Sequence, residues 1–209
     1  MRFSDPDMRE LFRDQARFVA RRLTDASKGF NYLPRRWFEI AIAAYLENGR
    51  SREVALAAFA AAQPGSKGMT DWKRQHGASV LRLLERFLYT DQQDPVAQVA
   101  LFRTRPRVSA FGRHELAVRL DLWLPERATL RQIWTDERSR LDRKGSTLRV
   151  AAICAHARRH VGAPIAAVEI WQLRYRQRRL FSVADLDPFL PRLGATLNWA
   201  EEQLRRRSA

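Results

Sequence analysis

Residues His114–Arg138 read HELAVRLDLWLPERATLRQIWTDER, and the fold turns on this stretch. Two runs, LAVRLDLWL and ATLRQIWTDER, carry branched and aromatic residues and are separated by Pro125–Arg127. Runs of this kind bounded by turn residues predict neighbouring strands. Each run carries one carboxylate, Asp121 in the first and Asp136 at the end of the second, and Arg138 stands two positions after Asp136. Two acids on adjacent strands beside a cation are a donor set that can hold a divalent metal against a phosphodiester. Strand alternation turns Glu137 to the other face, so it is the poorer ligand. Glu115 and Glu169 are candidates for a third.

Working outward, VAQVALFRTRPRVSAF supplies a preceding strand, with Gly112 at the turn. After the central pair come a helix from about Ser146 to His160 and a strand pair in AVEIWQLRYRQRRLFSV, with a basic turn at Arg176 to Arg179. A last helix runs from about Leu186 to Arg205, broken near Pro188–Pro191. The first ninety residues carry helical periodicity. Ser4-Asp5-Pro6 caps one helix, MRELFRDQARFVARRL; others span about Arg35–Asn48, the REVALAAFAAA run behind Ser51, and about Thr70–Tyr89. Trp37, Trp72 and Trp199 fall at core spacings and are expected to pack. The predicted class is α+β or α/β: a helical N-terminal portion, 1–94, then a mixed-sheet core, 95–209, of order βββαββα flanked by helices. The crossover helix makes the following strand parallel to an earlier one.

Basic residues outnumber acidic ones by 38 to 23, a net charge of +15, and all but four of the basic residues are arginine. Arginine's planar fork matches phosphate oxygens in pairs, so nucleic acid, DNA or RNA, is the first partner to expect. An acidic protein neighbour in a larger complex fits the same charge. The hairpin residues Arg174, Tyr175, Arg176, Arg178 and Arg179 are candidate contacts, with Arg174, Arg176 and Arg178 expected on one face. Such a row can follow a phosphate backbone while a tyrosine stacks on a base. Arg35 and Arg36 form a second basic cluster. The single cysteine, Cys154, lies in the apolar run VAAICAHA and reads as buried; one cysteine excludes a disulfide framework or a cysteine-rich zinc site. His156 and His160 stand four apart without a metalloprotease pattern around them. No apolar run approaches the ~20 residues of a membrane span, and MRFSDPDMRE has no hydrophobic signal core, which predicts a cytoplasmic protein without a membrane partner.

LDLWL, IWTDER fifteen residues on and VEIWQLRYRQRRLF after a helix together resemble the PD-(D/E)xK nuclease superfamily, in its RecB-like branch, which includes RecB-like CRISPR-associated nucleases. The resemblance implies a nuclease-like core over 95–205, with Asp121 and Asp136 as Mg²⁺ or Mn²⁺ ligands and Asp121, Asp136 and Arg138 as the catalytic set. The sequence departs from the family's pattern at three places. Arg138 replaces a lysine, WFEIAIAAYLENG lacks the family's helical histidine, and STLRVAAICAHA lacks a Gln-x-x-x-Tyr pair. Arginine supplies charge but is a poor proton carrier; Lys144 is the nearest lysine that could stand in. The expectation is therefore a nucleic-acid-binding protein with weakened or absent catalysis, a subunit of a DNA- or RNA-processing or defence complex. The alternatives are an active Mg²⁺- or Mn²⁺-dependent nuclease and a non-catalytic protein-interaction subunit.

Overall fold

The computed structural model describes residues 1–24, 33–64, 68, 70–95, 99–101, 107–135 and 144–208. In chain order the elements are β1 (Arg2–Ser4), α1 (Asp5–Arg13), α2 (Gln15–Leu23), α3 (Leu33–Glu47), α4 (Arg52–Ala61), α5 (Asp71–Gln93), β2 (Ala100–Leu101), β3 (Arg107–Phe111) and β4 (His114–Val118). They continue with β5 (Leu122–Leu124), β6 (Thr129–Trp134), α6 (Lys144–Ala157), β7 (Ala167–Gln172), β8 (Gln177–Ser182), α7 (Val183–Leu186) and α8 (Leu190–Ser208). The protein is α+β, with helices flanking mixed sheets.

A five-stranded sheet of order β2-β5-β6-β7-β8 forms the middle layer. β6 and β7 are parallel, joined across α6, and the other neighbours are antiparallel. Alternation sends successive side chains to opposite faces, and both faces are covered. On one, Leu130, Trp134, Val168, Ile170 and Phe181 pack with residues of α1, α2, α6 and α8. On the other, Leu122, Leu124, Ile133 and Trp171 meet α3, α4 and α5 through Phe38, Ile42, Phe59, Leu84 and Phe87. Strands covered on both sides read as continuous apolar runs, which is why QIW and VEIW look as they do.

The N-terminal residues do not stay apart as a helical portion. β1 pairs in parallel with β4, and Phe3, Met8, Leu11 and Phe18 belong to the core under α6. The expected single first helix is two. Asp14, in extended conformation, ends α1 through its own N–H to Glu10 O and starts α2 by accepting from Arg17 N at 3.0 Å.

The expected strand HELAVRLDLWL is also divided. β4 pairs with β3 and β1, β5 pairs with β2 and β6, and Arg119–Asp121 lies between. Interrupted ladders leave backbone groups that must be satisfied. The buried Gln132 side chain does this: with its amide nitrogen toward Arg119 O (3.2 Å), its oxygen accepts from Asp121 N (3.0 Å). Asp121 completes the stitch by accepting from Ile133 N at 2.8 Å.

Polar side chains fix α5 to the sheet. Arg131 is fully buried, donating Nε to Glu169 (2.6 Å) and Nη1 to Asp91 (3.3 Å), with its guanidinium 3.8 Å from the Trp171 ring centre. Arg50 also holds Asp91, at 3.0 Å, while Asp94 takes Arg127 and Arg178 at 2.8 and 2.5 Å. Isolated buried charges are strongly disfavoured, so these acids and arginines are placed to compensate one another. No helix among the described residues is long and apolar enough to cross a membrane.

Candidate functional site

The carboxyl ends of β6 and β7 lie side by side, since Trp134 is in register with Gln172. Three further elements reach the same end. The 173–176 loop joins β7 to β8 there. α5 runs antiparallel to β7: Asp91 sits beside Arg131, Phe87 beside Trp171 (5.7 Å between ring centres), and Arg86 beside the loop. Its amino-terminal half therefore projects past the sheet. α3 runs in the same sense, and its Trp37 packs so closely on Gly77 that a Cβ there would come within 3.2 Å of the indole.

Between α3 and the broken strand is a cavity of about 410 Å³, with apolar walls from Phe38, Ile42, Leu122 and Ile133 and charged groups from Arg35, Arg36, Glu39, Glu47, Arg119 and Asp121. Arg35 bridges two acids, donating Nε to Glu39 at 2.9 Å and Nη2 to Asp121 at 3.5 Å. Arg119 binds the other Glu39 oxygen. Burial pushes the Asp121 carboxyl above its ordinary range, although Arg35 and the Ile133 N–H pull the other way. Nearby, burial alone would raise Asp5, but Arg149 grips it with two 2.8 Å bonds and its carboxyl lies below the ordinary range. The Arg149 guanidinium is in turn stacked on Trp134, 3.9 Å from the ring centre.

The residues singled out from the sequence separate. Asp121 is in the cavity wall with Arg35 and Arg36, paired with Arg35 and Ile133 N. Asp136, Glu137 and Arg138 lie outside the described residues. Glu169 is no third ligand beside Asp121, because it belongs to the Arg131 network, and Glu115 is exposed on the other sheet. Glu39 was not anticipated. Its signal is a lone carboxylate in the apolar run WFEIAIAAYL. A divalent ion beside Asp121 and Glu39 finds oxygen donors of the right chemistry, but would have to displace arginine from both. Among the described residues no three His, Cys, Asp or Glu side chains form a metal-holding group.

The basic hairpin also departs from expectation. Gln172 pairs with Gln177, so the turn spans 173–176, starts as a 3₁₀ turn and ends with Arg176 in the left-handed region (φ 53°). Arg174, Tyr175 and Arg176 are exposed at its tip. Arg178 lies farther down β8, paired with Glu169 and Asp94, and Arg179 is over the Phe181 ring at 4.8 Å. The expected single row of Arg174, Arg176 and Arg178 is thus not formed. Arg86 donates to Leu173 O and Arg174 O (3.1 and 3.0 Å), fastening the loop to α5. Elsewhere, Cys154 is buried as expected and the buried His156 bonds Ser109 Oγ at 2.8 Å. No model of a known protein family matches the chain, and comparisons with curated proteins and with solved structures return no match.

Proposed function

We propose that this protein binds nucleic acid at the carboxyl end of its parallel strand pair, on a RecB-like PD-(D/E)xK scaffold whose metal site has been given over to arginine. One observation carries the reading. The exposed Arg174 and Arg176 at the hairpin tip and the Arg35–Arg36 end of α3 converge on the same end of the sheet as the Asp121 cavity. Phosphate contacts by such arginines position a strand and dominate affinity. The strand order supports the scaffold: antiparallel hairpins, then a helical crossover to a parallel strand, with Asp121 at the strand break. The Arg35 bridge supports lost catalysis, because Asp121 and Glu39 already share a cationic partner.

The competing reading, a Mg²⁺- or Mn²⁺-dependent nuclease, is favoured by Glu39 standing beside Asp121. Such a metal would polarise the scissile phosphate and activate a water; Asp121, Glu39 and Asp136 would hold it. Incubating labelled DNA and RNA with either ion separates the two readings. Binding without cleavage, undiminished in Asp121→Asn, is the expected outcome. Cleavage that disappears in Asp121→Asn would establish the nuclease.

A further inference from the structure

α5 presents one face to the core through Gly77, Leu84, Phe87, Leu88 and Asp91. At 3.6 residues per turn, Trp72, His76, Ser79, Leu83 and Arg86 form a separate stripe along its flank. Trp72 is 44% exposed, so the expectation that it packs in the core is overturned. Its ring is nonetheless held in place. The His76 imidazole stacks on it with centres 4.0 Å apart and planes 27° apart, and His76 Nδ1 donates to Trp72 O at 2.8 Å. Along the same stripe, Arg86 is bonded to the hairpin loop, where Tyr175 is 37% exposed between Arg174 and Arg176. The Tyr175 ring with Arg174 and Arg176 thus stands at one end of the stripe and the Trp72 ring at the other, joined along the projecting half of α5 by Leu83, Ser79 and His76 over about 21 Å from Arg86 to Trp72 at 1.5 Å per residue.

We infer that this stripe is a track for single-stranded nucleic acid, unpaired bases stacking on Trp72 and Tyr175 while Arg174 and Arg176 follow the backbone. The inference rests on the nucleic-acid-binding reading and specifies the form of the strand. Exposed ring faces offer nothing to a duplex, whose base faces are covered by their neighbours, whereas every unpaired base has a π-face to give. Stacking of this kind tolerates any sequence, and no set of side chains on the stripe is arranged to read base edges.

The test uses the full chain with a fluorescent oligothymidine of about twelve nucleotides, within the ~4–16 of such sites, and a duplex of equal length, read by anisotropy. The wild type is expected to prefer the single strand. Trp72→Ala should weaken single-strand binding roughly tenfold, as loss of one stacked base does. Duplex binding should be unchanged, and Trp72→Phe should recover most of the loss. A wild type that binds the single strand while Trp72→Ala binds it equally well overturns the track and leaves the broader reading standing. A wild type that binds neither strand overturns both.

Discussion

Arg131 shows how much a single residue decides here. It is wholly enclosed, and its charge is tolerated because Glu169, Asp91 and the Trp171 face surround it. Burial drags its guanidinium pKa below the ordinary value despite those partners. Removing one partner leaves a buried charge uncompensated. Glu169→Gln should therefore cost about 3–5 kcal/mol, measurable as a lowered urea midpoint, and a change below ~1 kcal/mol would place the network in solvent. None of this is legible in the sequence. Glu169 looks like a metal-ligand candidate there because spacing along a strand tells which face a side chain takes, not which partner waits for it. Trp72 misleads for a related reason: helical spacing marks a stripe, but Trp72 lies on the flank of α5, off the face of Gly77, Leu84, Phe87 and Leu88 that meets the core. Glu39 is open to discovery from sequence, since a carboxylate inside an apolar helix asks for a partner.

At the scale of elements, the strands announce themselves through their apolar texture, and the crossover helix dictates the parallel pair. The division of the 114–124 strand is hidden, because it depends on Gln132 reaching across to Arg119 and Asp121. Gln132→Leu should strand those backbone groups at a cost of about 1–3 kcal/mol, seen as a lower thermal midpoint. Phe87 is the bolt between α5 and the sheet, touching Phe38, Tyr45 and Trp171; Phe87→Ala should cost about 3–5 kcal/mol. Asp5, at the start of α1, supplies a pH dependence of definite sign. Its carboxyl is depressed below 3.8 in the folded state, so the stabilisation is present above that value and lost as pH falls through the folded pKa. Asp94 acts in the same direction through its hydrogen bonds to Arg127 and Arg178. Acid titration of unfolding should show Asp5→Asn less stable than wild type at neutral pH and the two converging in strong acid. A gap constant down to the acid limit would mean that Asp5 does not titrate as described.

For the whole molecule, the excess of arginine is visible from composition, but its distribution is not. Many of these side chains serve the fold: Arg131, Arg149 and Arg178 face acids, and Arg86 fastens a loop. Net charge therefore overstates the surface left for a polyanion, and the surface proposed for it is confined to one end of the sheet, around Arg36, Arg174 and Arg176. The most direct measurement is the affinity for an oligonucleotide as a function of salt, for the wild type and for Arg174→Ala/Arg176→Ala. Each arginine withdrawn from a phosphate should lower the log–log salt slope by about 1. The wild type is expected to show a steep slope, and the double variant a slope smaller by about 2, with the melting temperature unchanged because both side chains are exposed. A wild-type affinity indifferent to salt, or a double variant with an unaltered slope, would contradict nucleic-acid binding at this end of the sheet.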